Sequence, residues 1–249
     1  MTAGSPGLSD LSGRASAATD VEAALAARLA RPGAGLLLDL DGTLVDSEPL
    51  QRAAFADYFA ERGWDVPDAV VRQFMGRRAV EVFPVLDGPW RGEDPVALTD
   101  AVVAQLGRTD AVPAVVPGAA ELLALCADVG LPAAIVTSAR REWVERALAA
   151  LRTQVPGLAA PPMVTAEECV EGKPHPEPYE RGARLLGLAP DGLVAAEDAP
   201  AGIASARAAG VGYVVGLTTS NAPHELPGAD VALPDLRLVV AALAGGRSS

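Results

Sequence analysis

The segment Leu36-Leu37-Leu38-Asp39-Leu40-Asp41-Gly42-Thr43-Leu44-Val45-Asp46 constrains this chain more than any other stretch. A short apolar run ending in aspartates reads as a strand at the centre of a parallel sheet, covered on both faces. Residues i and i+2 of an extended chain point the same way, so Asp39 and Asp41 can address one cavity at the strand's carboxyl end. Gly42 then lets the backbone turn sharply away. Two carboxylates in that position are costly to bury unless a metal or cations neutralise them.

The pattern around this strand sets the fold class. Residues 1–18 are rich in Gly, Ser and Ala and are expected to be disordered; residues 19–30 suit a short Ala-rich helix capped near Thr19 or Asp20. Pro49 to Arg62 is helical, with Ala54, Phe55, Tyr58 and Phe59 on one apolar face. Further helical pieces follow at about 67–74, 77–86 and 93–107, and none resembles a strand, so 48–115 reads as an all-helical insertion. From Val116-Pro117-Gly118 onward apolar strands alternate with helices, at Ala133 to Thr137, Met163 to Val164, Val194 to Glu197 and Tyr213 to Val215. That alternation predicts an α/β fold, a Rossmann-like parallel sheet with helices on both faces. The predicted division is a core of 31–47 and 116–249, a helical cap of 48–115, and an N-terminal tail with a possible helix over 1–30.

In such sheets a ligand site lies beyond the carboxyl ends of the strands. One strand ends Ile135-Val136-Thr137-Ser138, which offers hydroxyls and helix-start amides suited to a phosphate; a plain helix N-cap uses the same residue types. Another ends in Glu197-Asp198, an acidic pair that either completes a hard-metal site with Asp39 and Asp41 or is a solvated turn. Between them stands Lys173, in Gly172-Lys173-Pro174-His175-Pro176. It is the chain's one lysine beside nineteen arginines. A chain that uses arginine for its surface charge leaves this ammonium free for work a planar guanidinium cannot do, such as reaching a single phosphate oxygen; a leftover surface lysine is the other reading.

Composition narrows the partners. Half the residues are hydrophobic, ample for a core. The net charge of −12 argues against coating nucleic acid or an anionic membrane. A small phosphorylated metabolite remains possible if local cations and a metal overcome that field. Cys126 and Cys169 are too few for a disulfide framework, and Cys126, among Leu122, Leu123 and Leu125, is expected to fill core. No secretion signal or run of about 18 apolar residues is evident, so the expectation is a cytoplasmic monomer or weak homodimer.

Taken in order, Asp39-x-Asp41-Gly42-Thr43, Thr137, Lys173-Pro174 and Glu197-Asp198 resemble the four motifs of the haloacid dehalogenase superfamily, over about residues 34–235. The tract Thr165-Ala166-Glu167, Gly172-Lys173-Pro174, Pro176 and Glu197-Asp198-Ala199-Pro200-Ala201-Gly202 resembles especially the bacterial sugar-phosphate phosphatases, a group similar to β-phosphoglucomutase. The helical insertion is similar to the small mobile cap of that branch. The resemblance implies a phosphomonoester hydrolase acting on a small sugar or polyol phosphate. Asp39 would be the nucleophile, Asp41 the acid and base, and Thr137, Ser138 and Lys173 the phosphoryl holders. It also implies Mg²⁺, held by Asp39, the Asp41 carbonyl and Asp198, with Glu197 close by or acting through water.

Departures from the pattern discriminate within the superfamily. Dehalogenases lack an aspartate at the place of Asp41. Phosphonatases use a cap lysine, and no lysine lies between 48 and 115. The mutase carries a cap histidine near the place of Gln51 and a cap arginine near that of Ala79, although Arg77 and Arg78 could supply the latter. A mutase is thus the second reading, and a non-catalytic phosphate-ligand-binding module the third. The loop Met75-Gly76-Arg77-Arg78 is expected to set specificity, unless the arginines simply face solvent, with Glu48, Gln51 and Arg141 as further pocket candidates.

Overall fold

The computed structural model describes residues 8–108 and 111–246, with side chains from residue 18 onward. The chain opens with helix α1 (Leu8–Leu29), strand β1 (Gly35–Leu38) and strand β2 (Val45–Asp46). Helices α2 (Glu48–Glu61), α3 (Asp68–Val71), α4 (Ala79–Val82) and α5 (Pro95–Gly107) follow, closed by strand β3 (Ala114–Val115). The remainder alternates: α6 (Ala119–Val129), β4 (Ala133–Val136), α7 (Arg141–Gln154), β5 (Met163–Val164), α8 (Glu177–Leu186) and β6 (Leu193–Glu197). Then come α9 (Pro200–Ala208), β7 (Tyr213–Leu217), β8 (Val231–Leu233) and α10 (Arg237–Gly245).

Six strands form one parallel sheet in the order β5-β4-β1-β6-β7-β8. The strand that ends in the aspartates is therefore interior, with Leu36 opposite Ala133 of β4 and Val194 of β6. Its side chains alternate between two cores, as a period of two requires. Leu36 and Leu38 face the helices α1, α6, α7 and α10, whereas Leu37 faces α8 and α9. Burial on both faces explains why the run carries no polar residue until Asp39. Strand β8, unanticipated from the sequence, is short and only partly buried, so its pattern is weak.

The N-terminal expectation is corrected. Residues 8–18 belong to a continuous helix through Leu29, not to a disordered tail, and residues 1–7 lie outside the described residues. The helix is anchored at its far end, where Leu25 and Leu29 are buried with Val239, Ala242 and Leu243 of α10. The buried Cys126 sits in the same core, and burial pushes its thiol up to about 12. Among the described residues no helix is long and apolar enough to cross a membrane.

The insertion is helical, with one correction. Residues 114–115 are a strand, paired antiparallel with Val45–Asp46, so a short two-stranded ribbon joins the entry and exit of the insertion. Two residues are too few to show alternation in the sequence. The helices α2–α5 build their own core, which contains all four phenylalanines of the chain, Phe55, Phe59, Phe74 and Phe83, around the buried Trp90. Trp90 stacks on Phe59 at 5.2 Å, and its indole N–H donates to Leu86 O at 3.0 Å. A unit this small has a high surface-to-volume ratio, and large aromatic side chains give it apolar area with few residues.

Candidate active site

Because β4, β1 and β6 are neighbours, their carboxyl ends bring Thr137, Asp39 and Glu197-Asp198 side by side. Asp39 continues β1 by one backbone bond, its N–H donating to Ala196 O at 3.0 Å. The chain then folds back over residues 40–45, with Leu44 N–H and Val45 N–H both donating to Leu40 O. Gly42 is required in this turn. Its φ is +80°, and a Cβ there would lie 1.9 Å from Asp198 Oδ2.

Lys173, 1% exposed, is the hub of the buried charges. Its Nζ donates to Asp39 Oδ1 at 2.5 Å, Glu197 Oε1 at 2.5 Å and Val136 O at 3.0 Å. An ammonium has three protons, so all three are directed at protein groups. The surface reading is thereby excluded. The resemblance implies that Lys173 both holds phosphoryl oxygens and offsets the crowd of negative charge; its contacts here are to the carboxylates Asp39 and Glu197. Burial works against its charge, but Asp39 and Glu197 outweigh it and hold the ammonium above its ordinary range.

Glu197 is saturated. Oε1 accepts from Lys173 and from Tyr179 OH at 3.0 Å, and Oε2 accepts from the backbone N–H of Asp198 and Ala199. Asp198 is the opposite case: its Oδ1 is buried with no hydrogen-bond partner. Asp39, Glu197 and Asp198 each place a carboxylate oxygen within 4.8 Å of the others. Burial, followed by the charge of Glu197, pushes both Asp39 and Asp198 well above the usual carboxylate range, and Lys173 only partly opposes this. One ammonium for so many carboxylates leaves a deficit of positive charge, and an orphaned buried oxygen marks where a cation fits. Oxygen-only donors suit a hard divalent ion. Asp39 and Asp198 have oxygens to offer it, while Glu197 orients Lys173 and the turn.

Asp41 faces elsewhere. Its carboxylate Oδ1 accepts from Ser47 Oγ and from the indole Nε1 of Trp143, the latter at 2.7 Å. Burial raises it above its ordinary value, with Ser47 and Trp143 opposing. Asp39, Asp41 and Thr137 share a cavity of about 590 Å³ between the sheet edge and the insertion. Thr137 is buried and its Oγ1 accepts from Ala139 N–H at 3.0 Å, the turn that starts toward α7.

The insertion is fastened to the core at several points. Gly76, with φ +72°, passes so close to Ala199 that a Cβ would lie 2.5 Å from the alanine methyl. Ser138 Oγ donates to Gly76 O at 3.3 Å, so this hydroxyl holds the insertion. Arg78 donates to Cys169 O and Val170 O and pairs with Glu81, which accepts from Gly172 N–H at 2.8 Å. Both arginines of the pair expected to read substrate line the cavity, but their nitrogens differ: Arg78 also clasps the Lys173 loop, and Arg77 keeps a buried Nε without a partner. Gln51 lines the cavity and donates to Ser47 Oγ at 3.2 Å.

Two pocket candidates fall outside the cavity lining. Glu48 pairs with Arg52 one turn along α2, and Arg141 pairs with Glu168 at 2.5 Å on the exposed side of α7. Arg140 lines the cavity in its place, joined to Asp100 across the gap. Residues absent from the sequence reading are Trp143, Ser47 and Tyr179. Each acts through a partner far away in sequence or in an irregular turn, and the only hint was an indole in a helix whose N–H needs an acceptor when buried.

The site and fold together define a class, a hydrolase with a carboxylate-rich centre under a helical insertion. The chain belongs to the haloacid dehalogenase-like hydrolase family, whose model matches residues 36–215. It is 38% identical over 202 residues to validoxylamine A 7'-phosphate phosphatase of Streptomyces hygroscopicus subsp. limoneus, spanning 80% of this chain and 92% of that one. It is 37% identical over 195 residues to hexitol phosphatase A of Escherichia coli K12, spanning 78% and 85%. A hydrolase from Pseudomonas syringae shares the fold, with a TM-score of 0.72 at 24% identity over 81% of this chain and 93% of that one. The chain is a phosphatase of this family.

Proposed function

We propose that this phosphatase is an Mg²⁺-dependent phosphomonoester hydrolase of a small sugar or polyol phosphate, working through an aspartyl-phosphate on Asp39. The observation that carries the reading is the buried set Asp39, Glu197 and Asp198, short of positive charge and with an orphaned Asp198 oxygen. It lies at the sheet edge below a cavity that Asp39 itself lines. Relatives that act on a hexitol phosphate and on validoxylamine A 7'-phosphate support a small phosphorylated substrate. Residues 48–115 serve as a cap over a core of 31–47 and 116–249, with Arg77 and Arg78 the cap cations on the cavity wall.

In this reading Asp39 attacks phosphorus, and the bond from phosphorus to the substrate oxygen breaks. Asp41 gives its proton to the departing alkoxide, and its raised carboxyl suits that task. A water then attacks the phosphorus of the acyl phosphate while Asp41 takes its proton, which releases phosphate and restores the Asp39 carboxylate. Lys173 and Glu197 hold Asp39 in place, and Thr137 lines the seat for the phosphoryl group. Asp39, Asp198 and the Asp41 carbonyl would hold Mg²⁺, which would supply charge stabilisation to the phosphoryl oxygens.

A screen of phosphomonoesters scored by released phosphate tests the substrate class. Excess EDTA is expected to bring that release to background, and Mg²⁺ to restore it. Ca²⁺ should substitute poorly, because it takes more ligands at longer distances and can engage both oxygens of Asp39. Full activity in EDTA would overturn the metal assignment. The turn gives a second expectation. A methyl on Gly42 lies 1.9 Å from Asp198 Oδ2 and must push that carboxylate aside. Gly42→Ala should raise the Mg²⁺ concentration for half-maximal rate about 10-fold. Calorimetric titration with Mg²⁺ should show the same weakening without any turnover.

A further inference from the structure

Asp41 is held in a bracket whose members come from distant parts of the chain. Ser47, at the start of α2, and Trp143, in the first turn of α7, both donate to the same oxygen, Oδ1, the indole across 102 residues of sequence. Ser47 is fully buried and its oxygen accepts from Gln51 Nε2, so its own proton is committed to Asp41. Trp143 is buried as well and is pinned from its own helix. The Arg146 guanidinium stands 5.2 Å from the indole ring, and its nitrogens donate to Leu106 O and Ala111 O, at the end of α5 and on the return to the core. The indole therefore has little freedom to swing away from the carboxylate.

Two donors converging on one oxygen fix the rotation of the carboxyl group about its own axis. Oδ1 accepts from both donors, Gln51 also stands close enough to act on the carboxyl group, and Asp41 and Trp143 both line the cavity, which makes Oδ2 the candidate for proton exchange with a ligand there. We propose that Trp143 is a positioning residue for Asp41, its N–H locking the carboxyl group so that the free oxygen meets the leaving oxygen of the substrate. The inference rests on the acid and base role given to Asp41 above. An indole N–H suits such a task because it donates only and does not exchange its proton at neutral pH. It steers Asp41 without competing for the proton in transfer. Misplacement of a reacting group by a fraction of an ångström is costly to the rate, so the effect belongs in turnover and not in binding.

Trp143→Phe keeps an aromatic ring and deletes the donor. With the alkyl phosphate hydrolysed fastest in the phosphomonoester screen, the single-turnover rate of phosphoenzyme formation, which reports the acid step apart from the hydrolysis step common to all substrates, is expected to fall on the order of 10-fold while KM stays within about 2-fold. With p-nitrophenyl phosphate the loss should be less than about 3-fold, because nitrophenolate leaves without needing a proton. Equal losses on the two substrates, or a loss carried by KM, would overturn the proposal, since a packing role or a direct substrate contact behaves that way. Asp41→Asn measured in parallel separates the two levels of the argument. If that variant loses equally on both substrates, the acid role of Asp41 fails; if it is selective and Trp143→Phe is not, only the positioning role fails. Should Trp143→Phe melt too low to assay, β-(3-benzothienyl)alanine at position 143 keeps the bicyclic shape, puts sulfur in place of N–H, and is judged by the same ratio.

Discussion

Asp39→Asn is expected to abolish phosphate release while the protein stays folded. On the proposed mechanism the amide removes the attacking anion and one cation ligand together, and no other carboxylate shares its position at the end of β1. Lys173 still has Glu197 and Val136 O as partners, so the buried ammonium is not stranded. The stability sign follows from the direction of the Asp39 shift. Burial and Glu197 raise its carboxyl in the folded state, so its ionised form opposes folding, increasingly as pH climbs through the raised value. A neutral amide removes that opposition, and the melting temperature of the metal-free variant at neutral pH should equal or exceed that of the parent. Retention of about 10% of kcat would be incompatible with covalent catalysis by Asp39. Acid-quenched single turnovers provide the direct check: the parent should trap phosphate on the protein, and the variant should not.

Lys173→Arg is the second large effect. The swap conserves charge, and on a surface arginine-rich like this one it would be silent. In the buried hub it is not. The ammonium sends three protons to three points, Asp39, Glu197 and Val136 O, in an arrangement that a planar fork cannot reproduce. The guanidinium is also bulkier, and overpacking a filled site costs about 1–3 kcal/mol. A loss on the order of 10²-fold in kcat is expected, comparable with removing a preorganised electrostatic donor. A lower melting temperature should accompany it. Near-parental kcat would mean that positive charge alone suffices and that the three-way geometry is irrelevant. Lys173→Met, which leaves Asp39 and Glu197 without their cation, should lose at least as much kcat as the arginine variant.

Much of this site is legible in one dimension because its motifs sit where chain direction is locally determined. Asp39 directly follows an apolar strand, and Thr137 and Glu197-Asp198 end strands of the same kind, whereas the direction of Asp41 is set by the turn over residues 40–45. The parallel alternation then places those ends on one edge. The singularity of Lys173 flagged its importance without showing its partners. Positions in the insertion were less legible. Gly76, Arg77 and Arg78 are adjacent and all line the cavity, yet only Arg78 also clasps the 169–172 loop, a difference that depends on how α4 docks. Glu48 and Arg141 were further pocket candidates, and they pair instead with Arg52 one turn along the same helix and with Glu168 from the segment after β5.

The amino-acid sequence by itself determined the α/β class, the order of the strands that carry chemistry, the acid-rich centre and the helical nature of the insertion. Each of these follows from periodicity, turn chemistry and the cost of burying charge, which act over a few residues. Only the tertiary structure decided that residues 8–18 continue a helix anchored on α10, that a two-stranded ribbon closes the insertion, and that Lys173 spends all its protons on protein groups. It alone brought Trp143 to Asp41. Contacts between residues a hundred positions apart are set by how helices pack on the sheet, and the geometry of packing leaves no periodic mark in the chain that makes it.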